Sequence, residues 1–160
     1  MLTITPVNTV AGRTELPLTL NNFPASETIV AIELTKHNSQ EQGSGSFPLV
    51  QNIEWNITAF CTQEYAYMVQ RTLVRPRIRF STIPSSTSGL NGFDAGGIVG
   101  CNQMGFPYMM TGDGFVTGNI STTWGFCTSY PGLIERLYYA FMRAQTYTVS
   151  SDRMTIFLRR

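Results

Sequence analysis

The chain has 160 residues, a formal net charge of +1, and 13% charged residues against 42% hydrophobic ones. These totals exclude a disordered chain, which combines low hydrophobicity with high charge. They give no case for nucleic acid, whose binders carry a basic excess. The length fits one domain, or one domain with an extension, and the abundant Thr, Ser, aromatic and β-branched residues are the composition of a β-rich protein.

The charge is unevenly placed. Residues 1–70 carry Arg13 and Lys36 against six Glu, a balance of −4, and residues 71–160 carry nine Arg against four acids, a balance of +5. No stretch approaches the roughly 20 apolar residues of a membrane span. The opening MLTITPVNTVAGRTELPLTL has no basic segment followed by an apolar core, so no signal peptide is expected. The expected compartment is the cytoplasm if the sequence is complete, and the periplasm or the exterior if a leader was removed.

Residues 1–50 read as an N-terminal extension, and 51–160 as the main domain. Within the extension, Glu15–Leu20 and Thr28–Thr35 look like strands, which could instead join the main sheet. The polar run His37–Ser46 is the candidate linker. Ile53, Trp55 and Ile57 alternate with Glu54, Asn56 and Thr58, as in a half-buried strand. Thr62–Leu73 suits either a short helix or a strand. Arg75, Arg77 and Arg79 share one face of the next strand, which Pro76 marks as an edge strand or a strand start. Pro84–Gly97 reads as a long Ser/Gly loop. Nine of the fourteen glycines fall between Gly89 and Gly118, the density of hairpin turns. Thr111-Gly112-Asp113-Gly114 is one such hairpin. No phosphate-cradling pattern occurs among these glycines.

A helix is expected from Pro131 to about Gln145, capped by Ser129 or Tyr130. Ile134, Leu137, Tyr138, Phe141 and Ala144 form its apolar stripe, with Glu135, Arg136 and Arg143 off it. Tyr147–Ser150 and Met154–Leu158 then make two strands around a Ser151-Asp152 turn.

Several of these residues stand in a recognisable order. Trp55 on an early strand is followed by the Pro-led Arg75–Phe80 strand and by Gly100-Cys101-Asn102. Tyr108 lies seven residues after Cys101, and Thr123 lies four before Cys127. Glu135 opens the helix, and Asp152-Arg153-Met154-Thr155-Ile156 closes the pattern. Over Ile53–Leu158 this resembles the META/HslJ domain family. Gln103 stands where the family commonly has Arg, and Trp124-Gly125-Phe126 where it often has Arg-Met-Ala. The resemblance implies an α+β, mostly β fold: an antiparallel sheet curled into a partial barrel with one packed helix. It also implies a link to stress response or virulence, and no established reaction.

The separation of Cys101 and Cys127 is that of the family. In an oxidising compartment the two could bridge, worth roughly 3–4 kcal/mol in the chain-entropy model; otherwise they are reduced, buried thiols. Cys61 is read as a buried thiol. Catalysis by Cys needs a base, and the only His is His37, outside the matched segment. Three Cys and one His without CxxC or HxxxH spacing argue against a metal site, and no cofactor is expected. Asp94, Asp113 and Asp152 sit in turns, where Asp is favoured for local reasons. Asn102 is expected to serve the backbone. Trp55, Tyr108, Trp124 and Phe126 are expected in the core. The Arg75/Arg77/Arg79 face is a solvated strand face or a dock for an anionic protein or lipid surface.

The expected function is therefore non-enzymatic, a protein-interaction module of META/HslJ type. The alternative is a carrier holding a small apolar ligand or lipid in an open barrel mouth. A mouth closed by Trp55, Phe80, Tyr108 and the helix stripe would remove the carrier's cavity.

Overall fold

The computed structural model describes residues 9–10, 12–19, 21–70, 75–86, 90–125 and 132–160. Three strands come first: β1 (Thr9–Val10), β2 (Arg13–Pro17) and, after a 3-10 turn at Ser26–Thr28, β3 (Ala31–Lys36). The series continues with β4 (Glu54–Cys61), β5 (Tyr65–Met68), β6 (Arg77–Pro84), β7 (Phe93–Val99), β8 (Asn102–Thr111), β9 (Gly114–Thr117) and β10 (Ser121–Thr122). Helix α1 (Leu133–Met142) precedes β11 (Ala144–Val149) and β12 (Arg153–Leu158).

Eight strands form a closed antiparallel barrel in the order β4, β3, β12, β11, β9, β8, β7, β6. Closure comes from β4 itself. Its first half pairs with β6, Glu54 opposite Arg79 and Asn56 opposite Arg77. Its second half pairs with β5, Ala59 opposite Met68 and Cys61 opposite Ala66. The other edge of β4 runs along β3 throughout. Beyond β5 the sheet continues into β2, which is parallel to β5, and then β1. The boundary drawn near residue 50 thus falls between β3 and β4, two neighbouring barrel strands.

Inside the barrel the inward apolar side chains and the buried side of helix α1 form one core cluster. Trp55, Phe80, Tyr108 and Phe115 are each 0% exposed. The Phe115 ring stands edge-on to Phe80 at 5.4 Å and stacks on Tyr108 at 5.8 Å. From the helix, Leu133, Leu137, Ala140 and Phe141 are buried, Phe141 lying 4.8 Å from Phe106.

Of the two expectations for Pro76 the strand start holds: it sits just ahead of β6, and residues 77–79 pair with β7 and β4 together, so they are not on an edge. Three details differ from the sequence expectation. The expected Pro84–Gly97 loop gives way to β7 from Phe93 onward. Gly96 and Gly97 belong to that strand, and a Cβ on Gly97 would collide with the Arg77 carbonyl, so glycine here marks close strand approach. His37–Ser46 is a packed connection between β3 and β4 rather than a linker: Glu41 accepts the Glu54 amide at 3.2 Å and pairs with Arg79 at 2.9 Å. Finally, α1 spans Leu133–Met142 with Gly132 before it. The expected caps Ser129 and Tyr130, together with Pro131, lie outside the described residues.

Candidate functional site: the outer face of helix α1

The residues singled out from the sequence fall into separate places. Trp55 donates its indole N–H to the Val50 carbonyl at 3.1 Å, deep in the core. Tyr108 donates its hydroxyl to the Ser81 carbonyl at 2.6 Å and accepts from Gln51 Nε2 at 2.9 Å. Burial pushes the Tyr108 phenol up to about 12. A phenol held so firmly protonated is a structural strut, not a base.

Gly100, Asn102 and Thr123 form a fastening. Gly100 has φ +63°, which turns β7 into β8 in a conformation open to glycine. Asn102, 3% exposed, accepts the Gly125 amide at 2.6 Å and the Thr123 hydroxyl at 3.1 Å, and donates to the Gly125 carbonyl at 3.1 Å. Thr123 Oγ1 also accepts the Gln103 amide at 2.9 Å. One buried amide thereby clips the segment after β10 to the start of β8. Cys101, exposed beside this clip, is disulfide-bonded; Cys127 lies outside the described residues, as does Phe126. Glu135 is exposed in the first turn of α1, where a carboxylate favours the helix dipole.

The arginine face is not a free cationic surface. Arg79 pairs with Glu41 at 2.9 Å and Glu54 at 3.4 Å, and Arg77 lies 3.8 Å from Glu54. Arg77 Nη1 also donates to His37 Nε2 at 3.3 Å, while His37 Nδ1 donates to Asn56 Oδ1 at 3.1 Å. Arg75 donates to the Val69 carbonyl at 3.3 Å. The acidic excess of the first 70 residues is thus spent locally on β6 arginines. The same pairing holds His37 beside Asn56, five residues along β4 from Cys61, or roughly 16 Å at strand rise. Cys61 is buried, and burial with the nearby Glu33 charge pushes its thiol up to about 12, so it is an inert thiol, away from the one histidine. Among the described residues no three His, Cys, Asp or Glu side chains gather as a metal site would require. No helix among them is long and apolar enough to cross a membrane.

What stands out instead is the outer face of α1. Trp124, expected in the core, is 59% exposed and lies 5.9 Å from the Tyr138 ring. Tyr138 meets Tyr139 edge-on at 5.4 Å, and Tyr139 and Met142 are 52% and 46% exposed. This apolar strip ends in a groove of about 540 Å³ lined by Tyr139, Met142, Arg143, Arg160, Ser26 and Glu27. An adjoining groove of about 490 Å³ shares Glu27 and Arg160 and reaches the β4–β5 turn at Thr62–Tyr65.

Arg143 is the hinge pin of this end. Its guanidinium donates to the Ser26 and Ile29 carbonyls, both at 2.7 Å, and to the Arg159 carbonyl at 3.0 Å. Burial pulls its pKa down and Arg159 adds to that, with Glu27 opposing them in part. Arg159 donates to the Met142 carbonyl at 2.9 Å. Among the described residues, none of Arg143, Arg159 and Arg160 forms a salt bridge. The basic excess of the C-terminal part therefore surfaces here, three arginines against Glu27, the one acid lining the groove among the described residues. The sequence held a signal for this: the helix stripe left Tyr139 and Met142 on the side facing away from the core.

No family model, no curated protein and no solved structure matches this chain.

Proposed function

We propose that this chain is a META/HslJ-like protein-interaction module without chemistry of its own. Its docking face is the outer side of α1 with the groove beyond it. The partner chemistry that fits is a polypeptide segment presenting an apolar side chain flanked by carboxylates. Tyr139 and Met142 would receive the apolar group, and Arg159 and Arg160 the carboxylates.

One observation carries this reading. An exposed aromatic and methionine strip adjoins arginines that form no salt bridge among the described residues and outnumber the one acid of the groove, Glu27, on a barrel whose interior is filled. The packing of Trp55, Phe80, Tyr108 and Phe115 speaks against the carrier alternative, because those rings occupy the place of a ligand. The neutralised Arg77/Arg79 face speaks against docking there.

The test is quantitative co-purification from the native host, read by mass spectrometry. Proteins bound to the wild type should be lost with Arg159→Glu/Arg160→Glu and again with Tyr139→Ala. They should be retained with Ile98→Ala, which removes an exposed apolar side chain from β7. An unchanged set of proteins across all three variants would rule out this face.

A further inference from the structure

Beyond β5 the sheet does not simply end. β2 and β1 roll back over the outer side of the barrel wall. Val10 on β1 packs with Ala31 on β3, Ala59 and Cys61 on β4, and Ala66 on β5, in a small apolar cluster separate from the main core. This cluster faces the opposite side of β3 from Ile32 and Leu34. Glu33 lies on that same outer side, 4% exposed.

Glu33 is ill suited to its place. Thr155 Oγ1 on β12 donates to its Oε1 at 2.8 Å. Its Oε2 has no hydrogen-bond partner. A cavity of about 170 Å³ opens beside it, lined by Val10 and Glu15 from the rolled-back strip and by Glu33, Thr35, Thr58 and Arg153 from the wall, with Met68 and Arg75 completing it. A half-satisfied buried carboxylate is costly when ionised and far less so when protonated.

We propose that the β1–β2 strip is a pH-sensitive flap and that Glu33 beneath it sets whether the flap stays closed. The charged groups around Glu33 come from every packed element: Arg13 and Glu15 on β2, Arg153 on β12, and Arg75 just before β6. Arg153 and Arg13 favour the carboxylate, but burial outweighs them together with the Thr155 bond, and the Glu33 carboxyl is raised above 4.5. A carboxyl raised in the closed state stabilises closure fully below its open-state value. That contribution is lost as pH climbs from 4.5 through the raised closed-state value.

The flap is held by one parallel ladder, Thr14–Pro17 against Tyr65–Met68, extended at its ends by the Thr14 amide to the Glu64 carbonyl and the Leu18 amide to the Met68 carbonyl, by the Arg13 bond to the Thr62 carbonyl and by the Val10 cluster. Opening would free the outer edge of β5 for strand addition by a partner, and would bare Cys61.

Cys61 gives the readout. Full-length protein is treated with a pyridyl disulfide over pH 4–8 without reductant, and labelling of the Cys61 peptide is timed in wild type and in Glu33→Gln. The ratio of the two rates removes the reagent's own pH dependence; the ionised Glu33 also raises the neighbouring Cys61 thiol, which can only lower the ratio as pH climbs, so a rise reports opening. The ratio should rise with pH, by up to tenfold for each unit by which the closed-state carboxyl stands above 4.5. A ratio that stays constant overturns the proposal. If Glu33→Gln does not fold, wild type decides: exchange of the β2–β5 amides, corrected for intrinsic rate, should quicken with pH relative to the β3–β12 amides. Parallel profiles overturn the flap.

Discussion

Phe115→Ala tests whether the barrel is filled or merely lined. Phe115 is 0% exposed and contacts Phe80, Tyr108 and Tyr147 at centroid distances of 5.4, 5.8 and 6.4 Å. Its loss removes the transfer energy of a benzyl group and leaves a void whose walls are strands of a closed sheet. Closed sheets relax poorly, so the cost should fall in the upper part of the Phe→Ala range, about 4–5 kcal/mol. At about 2–4 °C per kcal/mol for a chain of this size, the melting temperature should drop by about 8–20 °C. Equilibrium urea unfolding gives the energy directly, with an unchanged m value expected. A dry apolar void of that kind also binds benzene or xenon, so the variant should gain stability from benzene while the wild type should not. A loss under about 2 kcal/mol, or equal benzene stabilisation of both proteins, would mean that the wild-type mouth is open and the packing argument against a carrier is wrong.

The remaining predictions concern the struts around that core. Tyr108 is neutral up to about 12 when folded, against 10.0 when unfolded, and Cys61 reaches about 12 against 9.0. The stability that these two groups contribute should therefore be constant up to about pH 9 and fall steadily between pH 9 and 12, in urea titrations across that range. Tyr108→Phe should flatten the part above pH 10 and cost about 1–3 kcal/mol at pH 7, because Gln51 and the Ser81 carbonyl lose their partner. Asn102→Ala should cost about 2–3 kcal/mol in the same assay and speed proteolysis near Gly125, since three hydrogen bonds go at once. Arg143→Met keeps the stem and removes the donors to three carbonyls; about 2–3 kcal/mol should be lost, with exchange quickened at Ser26–Ile29.

The fold was legible where side-chain alternation was clean. Trp55 and Ile57, with Ile53 just ahead of the strand, named the inner face of β4, and the Leu137–Phe141 spacing named the helix. The Thr111–Gly114 hairpin was readable from turn chemistry alone. β7 was hidden because its glycines resemble a loop, whereas they allow β6 to approach closely at Arg77. The barrel's closure was hidden for a different reason: β4 divides its free edge between β5 and β6, and no local pattern encodes a strand with three neighbours. The Arg75/Arg77/Arg79 face was visible as charge but not as neutralised charge. Glu41 sits 38 residues before Arg79, and that pairing exists only once β3, β4 and β6 are assembled. Trp124 was misplaced because a tryptophan is read as core by default, while here it is 59% exposed, its ring tilted 50° to that of Tyr138 at 5.9 Å. Glu33 was invisible within the run IVAIEL, whose apolar neighbours mark a strand without saying which face is covered twice.

The central claim is that this barrel works through the outer face of α1. A photo-crosslinking residue at position 139, in full-length protein expressed in the native host, tests it most directly. The account predicts discrete adducts from position 139 that disappear with Arg159→Glu/Arg160→Glu, and none of the same mass from position 98 on β7. Adducts that form equally from both positions, or that persist after the charge reversal, would contradict it.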